Sequence, residues 1–250
     1  MASLPPLAYF TLGNRRVKII WCCLHGVVCS KCVLGTLFGV MDVYSCEDLY
    51  DLKQKPKIND ISLNLLCEYY KKYLLPFEYR YTFEDTSRIV VLDFKKEKFC
   101  HLLGIESVVK KSISKCEIYN YKGITGWNNI ENSLLTLNEL KRINKKKFNS
   151  VKAKYVYFYL IPKLIDKPFA VKYNKSKVNP STDIECEILF YNQVQNDNAI
   201  VHLGIGKEKD NCYYPRTFFV EKTKKFSEDK YIRNQDVLII KNTTIINKTY

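Results

Sequence analysis

The first residues with evident chemistry lie in Phe99-Cys100-His101-Leu102-Leu103-Gly104-Ile105. On a helix, Phe99, Leu102 and Leu103 share one face, while His101 falls on another with Glu97 and Lys98. His101 can then meet solvent or a cleft while its neighbours anchor the helix. An imidazole titrates near neutrality, which suits general acid–base work. The same position also suits a boundary histidine bonded to a backbone carbonyl. A second group is Tyr213-Tyr214-Pro215-Arg216-Thr217-Phe218-Phe219. In a strand, Tyr214, Arg216 and Phe218 share one side, and Thr217 and Phe219 the other. The Arg216 guanidinium can fork onto a phosphate and Thr217 can offer a hydroxyl; the plain alternative is an amphipathic strand with a surface arginine. A third group, Arg142, Lys145, Lys146 and Lys147, offers general attraction to a polyanion.

Two further motifs carry less. Cys22, Cys23, His25, Cys29 and Cys32 are close in sequence, but a zinc site commonly needs two close ligand pairs, and only Cys29 and Cys32 form one. Their Ile, Val and Leu neighbours favour burial, so reduced, metal-free thiols are expected. Gly204-Ile205-Gly206-Lys207 lacks the length and the hydroxyl residue of a phosphate loop and reads as a hairpin turn. No carboxylate cluster suggests magnesium and no Gly-x-Ser-x-Gly suggests an esterase. Neither metal nor cofactor is expected.

These groups need elements to hold them. Asn59 or Asp60 can cap a helix with Ile61, Leu65, Leu66, Tyr69 and Tyr73 at helical spacing, stopped by Pro76. Tyr79, Tyr81 and Phe83 alternate with polar residues as a strand, and Ile89 to Phe94 returns as its partner. A helix over about 95–103 follows, closed by Gly104. The capping box Thr136 to Glu139 opens another helix, which runs into Lys145, Lys146 and Lys147. From 154 the pattern changes. Tyr155–Ile161, Ile184–Tyr191, Ile200–Ile205, Tyr214–Glu221 and Val237–Lys241 read as strands of an antiparallel meander. Helices with a hairpin, then a sheet, make the class α+β. Lys53 to Lys57 reads as a linker, dividing residues 1–57, a Cys-rich extension of unassigned role, from a domain over 58–250.

The totals narrow the function. The chain has 250 residues, with 40 Lys and Arg against 26 Asp and Glu, a net charge of +14. Such a surface attracts polyanions through counterion release, which makes nucleic acid the expected partner, RNA above all. A merely soluble Lys-rich protein is the bland alternative. Ten cysteines without paired spacing point to reduced thiols and a cytoplasmic setting. Residues 19–41 are long enough to span a membrane, but His25 and Lys31 interrupt them. A central Lys costs about 2.5–3.5 kcal/mol on insertion, so no membrane partner is expected.

The order of several segments resembles a known group. It consists of Phe99 to Ile105 after a strand pair, Tyr121-Lys122-Gly123-Ile124-Thr125, the basic helix around Arg142, Tyr214 to Phe219, and Lys230-Tyr231-Ile232-Arg233-Asn234-Gln235. This order is similar to that of the fourth phage-type family of the Barnase–EndoU–Colicin–RelE-like nuclease superfamily, found in phages and mobile elements. The resemblance covers roughly residues 60–242. It implies helices and a hairpin packed on an antiparallel sheet, and metal-independent RNase activity. His101 falls at the family's histidine, which makes it the leading candidate for proton transfer. Pro215 to Phe219 falls on the family's Pro-x-Ser/Thr-Phe-Phe segment. Arg216, Thr217 and Tyr214 are then candidate phosphate and hydrogen-bonding groups, and Lys230 and Gln235 candidate substrate-binding residues. A toxin-like nuclease of this kind also implies a protein partner or antitoxin. The competing expectation is a non-catalytic protein of the same fold that binds RNA or inhibits a nucleic-acid-handling complex. Tyr155, Tyr157 and Tyr159 would then be able to stack bases, although packing on helices suits them better.

Overall fold

The computed structural model describes residues 9–12, 15–18, 43–84, 89–194, 196–222 and 229–248. The chain divides into two compact units, Met1–Met41 and Asp42–Tyr250. In the first, β1 (Tyr9–Leu12) and β2 (Arg15–Lys18) pair antiparallel. Cys22, Cys23, His25, Cys29, Cys32 and the apolar stretch 19–41 lie outside the described residues. Among the described residues, no helix is long and apolar enough to cross a membrane.

The second unit begins upstream of the linker read from the sequence. Helix α1 (Cys46–Asp51) is opened by a capping box between Ser45 and Asp48 and seats Leu49 in the main core. Lys55 pairs with Asp197 and Pro56 is buried, so the basic stretch is packed against the body.

One eight-stranded sheet organises this unit, in the order β10-β3-β4-β8-β7-β6-β5-β9. Its strands are β3 (Phe77–Phe83), β4 (Ile89–Asp93), β5 (Phe169–Lys172), β6 (Ile188–Gln193), β7 (Ala199–Lys209), β8 (Cys212–Lys222), β9 (Asp236–Leu238) and β10 (Ile240–Asn247). Strands β6, β7 and β8 form the expected antiparallel meander, whereas β4 joins β8 in parallel. Only Ile239 separates β9 from β10, yet they occupy opposite ends of the strand order. Since consecutive Cα atoms lie about 3.8 Å apart, the two sheet edges must meet there and the sheet must curl. Tyr81 of β3 accordingly reaches Phe190 of β6 across the concave side, with ring centroids 4.8 Å apart.

The concave face packs on the helices: α2 (Leu63–Tyr73), α3 (Phe99–Leu102), α4 (Ile105–Val109), α5 (Gly123–Glu131), α6 (Leu137–Ile143), α7 (Lys145–Tyr157) and α8 (Ile161–Asp166). The opposite face carries a smaller core of Val171, Tyr173, Val178, Leu189, Tyr191 and Ile200, closed over by Ile184, Cys186, Phe219, Tyr231 and Ile232.

Four local expectations change. Ser62, not Asn59 or Asp60, caps α2 by accepting from the Leu65 amide at 2.9 Å; Asn59 and Asp60 lie in a 3₁₀ turn. The helix opened by Thr136 ends at Asn144, whose side chain accepts from the Lys147 amide at 2.9 Å and starts a new helix. Residues 155–161 are helical, not a strand: the end of α7, a 3₁₀ turn at Phe158–Leu160 and the start of α8. This segment is enclosed on all sides, with Tyr155, Tyr157, Phe158 and Tyr159 all buried, so its helical period leaves no polar face to read. Its tyrosines are therefore packing residues. The Gly204–Lys207 stretch is strand interior, and the hairpin turns at Asp210 and Asn211. A Cβ on Gly204 would stand 2.7 Å from the Thr217 methyl and 2.8 Å from Cys186, so that glycine permits close packing.

Candidate functional site

The site begins where β8 loses its neighbour. Strand β4 pairs with β8 only at Val91↔Cys212 and Leu92↔Tyr213. After Asp93 the chain turns through a 3₁₀ turn, Lys96–Lys98, into α3. Helix α3 is thereby brought against β8 beyond Tyr213. Fully buried Phe99 and Leu102 anchor it; the Phe99 ring lies 5.2 Å from Trp127 and 5.7 Å from Phe158. Gly104, at φ 70°, closes the turn in a left-handed conformation. The polar side of α3 then meets the strand: His101 stays exposed, with the backbone of Arg216 near enough to raise its pKa. Lys98 Nζ stands 4.2 Å from the Tyr214 ring centroid. A bulge helps, because Gly204 faces Thr217 and Ile205 faces Pro215, which leaves Arg216 as the extra residue. The Arg216 guanidinium is held 2.9 Å from Glu185, which also takes Lys175 at 2.6 Å.

Desolvation and the neighbouring Lys154 push the His101 pKa below its ordinary value, against Glu106, which raises it. Burial, then Lys147, pulls the Lys154 amine down to about 8. Lys147 and Lys154 are two helical turns apart on α7 and so share a face. Positive charge thus runs from exposed Arg142, Lys145, Lys146 and Lys147 through Lys154 to His101. Lysines in the first turn of α7 add to the positive end of the helix dipole rather than offset it. Sequence reasoning missed Lys154 because it read a strand from 155 onward; its signal is the seven-residue offset from Lys147.

The remaining candidates lie elsewhere. Lys230 stands 4.9 Å from the Tyr231 ring centroid, in the turn that packs on the smaller core. Gln235 is buried and clamps the Asn174 backbone, accepting from its amide at 2.7 Å and donating to its carbonyl at 3.1 Å. Both polar ends of Gln235 are therefore engaged within the fold. The same face holds a cluster absent from the sequence reading. His202 Nε2 lies 2.7 Å from Asp229 Oδ2, both residues fully buried, with half-buried Glu221 beside them. Burial and then Asp229 raise the Glu221 carboxyl above the ordinary range. Although burial opposes it, the His202 contact holds Asp229 low. These residues come from β7, β8 and the following turn, so no linear motif announces them.

The sequence model of the phage-Barnase-EndoU-ColicinE5/D-RelE like nuclease4 family matches residues 66–250. The chain belongs to this nuclease family. No curated protein and no solved structure matches it. Membership gives the chain a nuclease-like function, and the mixed helices and curled sheet fit the family's α+β fold. The matched region contains His101, Lys154 and the whole β8 edge. For a nuclease of this family, replacing Lys145, Lys146 and Lys147 by Ala should weaken binding of all sequences alike. With about 0.7 counterions released per single-strand phosphate contact, the slope of log K against log salt should flatten by about 2. Fluorescence anisotropy over a salt series measures it; an unchanged slope removes these lysines from the interface.

Proposed function

We propose that the chain is an endoribonuclease that cleaves RNA by 2′-OH transesterification, without a metal ion in the bond-breaking step. The observation that carries this reading is the exposed His101 imidazole, set on α3 against the Arg216 backbone, with Lys154 near enough to lower its pKa. An unprotonated imidazole keeps one ring nitrogen free to accept a proton. The lowered His101 pKa favours the unprotonated base at neutral pH, while Lys154, at about 8, remains a proton donor. The 2′-oxygen attacks phosphorus as His101 takes its proton. The bond from phosphorus to the 5′-oxygen breaks, and Lys154 protonates the leaving oxygen. The products are a 2′,3′-cyclic phosphate and a 5′-hydroxyl. Arg216 exchanges Glu185 for the phosphate, with Tyr214 as a hydrogen-bonding group, and the basic start of α7 draws in the backbone; Thr217, whose methyl faces Gly204 and Cys186, takes no part.

Cleavage of an end-labelled RNA tests the chemistry. The expected result is a 2′,3′-cyclic phosphate end, no cutting at a 2′-deoxy position, and persistence in EDTA below the melting temperature. The profile of kcat/KM against pH should rise below 6.5 as His101 deprotonates and fall near 8 as Lys154 loses its proton. Lys154→Gln should remove the falling limb. Cutting at the 2′-deoxy position would overturn the mechanism; RNA binding without cutting would favour the non-catalytic reading.

A further inference from the structure

The cluster on the far face of β7 and β8 has no part in that mechanism, and its chemistry is unusual for a core. Two carboxylates and an imidazole share one buried space. His202 and Asp229 are fully enclosed, and His202 Nδ1 and Nε2, Glu221 Oε2 and Asp229 Oδ2 are buried without a properly aligned hydrogen bond. Buried polar atoms left in this state cost free energy, and carboxylates cost most, unless a cation or proton joins them.

We propose that His202, Glu221 and Asp229 form a binding site for one divalent transition-metal ion, with zinc the best-fitting ion. The three ligand atoms already lie within 4.8 Å of one another. Ligands at about 2.1 Å from a tetrahedral ion stand roughly 3.4 Å apart. His202 Nε2 and Asp229 Oδ2, now 2.7 Å apart, need only part slightly to admit the ion. One imidazole with two carboxylates is a borderline donor set, suited to zinc rather than to magnesium or calcium. The supporting groups are in place. Phe219 stacks on the His202 ring at 4.4 Å and 6°, and Asp229 Oδ1 accepts from the Tyr231 amide at 2.7 Å. Each fixes a ligand's orientation, as outer partners do around metals. The ion fastens the start of the 229–235 turn to two strands, while the Gln235 clamp on Asn174 fastens its end.

The test uses the full chain stripped with EDTA and titrated with ZnCl₂ in a calorimeter, with the melting temperature followed in parallel. At a hundredfold excess over Kd, bound zinc should raise the melting temperature by about 5–10 °C. Glu221→Gln keeps the volume and hydrogen-bonding capacity, so it should fold, bind one equivalent fewer than the parent, and lose that thermal shift. Cobalt substitution separates this site from the cysteines near the start of the chain: ligation here gives visible bands without a thiolate-to-cobalt charge-transfer band. Equal zinc binding by the parent and Glu221→Gln overturns the proposal, as does a parent cobalt spectrum of thiolate type alone or with no band. Metal content and melting are read apart from cleavage, so failure of this site and failure of the nuclease mechanism are distinguishable.

Discussion

Replacing His101 by Ala should lower kcat/KM for RNA cleavage by roughly 10²–10⁴-fold, the usual contribution of a positioned acid or base. Affinity for uncut RNA should hardly change, because the cationic groups of α7 remain. The loss of stability should be modest, since His101 is exposed and takes no place in the core. His101→Gln sharpens the result. A glutamine amide can donate to a carbonyl but does not accept a proton usefully near neutrality. If His101 merely ties α3 to β8, Gln restores activity; if it transfers a proton, Gln is as inactive as Ala. Single-turnover cleavage with melting curves for both variants decides, and full activity in His101→Gln would remove His101 from the mechanism.

The second large effect falls on the scaffold. Phe158→Ala should cost about 3–5 kcal/mol, in the range for large aromatic truncations in a core. Phe158 is fully buried and its ring sits 6.3 Å from Tyr70, 5.7 Å from Phe99 and 6.1 Å from Phe218. One side chain thus joins α2, α3 and β8, and a cavity there cannot close without moving α3. A domain of ordinary stability, about 5–15 kcal/mol, would lose a large share of it. Phe158→Leu keeps most of the volume and should cost far less. Urea unfolding of the two variants measures both; an Ala variant within about 1 kcal/mol of the parent would mean that the site has collapsed around the gap.

The parts of the fold legible in the sequence were those with a polar side. Strand β3 shows its period because Arg80 faces out between buried Tyr79 and Tyr81. Thr136 and Glu139 announce α6 because caps are local. Strand β5 escaped notice because its four residues are too few to display a period. The site was half legible. His101 is set by its own helix, so its exposure follows from spacing. Its approach to Arg216 depends on β4 ending early, which no local pattern encodes. The cluster of His202, Glu221 and Asp229 depends on strand register and was invisible for the same reason. The family model's match over residues 66–250 supports the nuclease reading independently of any single residue.

The join through Ile239 also sets a schedule for synthesis. Strand β3 emerges early from the ribosome, but its outer partner is β10, which pairs residue 245 with residue 79. Between them come every helix of α3–α8 and most of the sheet. Until β10 arrives, β3 presents an open edge to other chains, the state in which sheets aggregate. Contacts so remote in sequence are slow to form. Partly made chains of this protein therefore expose a strand that the finished chain conceals, and chaperones that shield such edges should matter more for its yield than for its final stability.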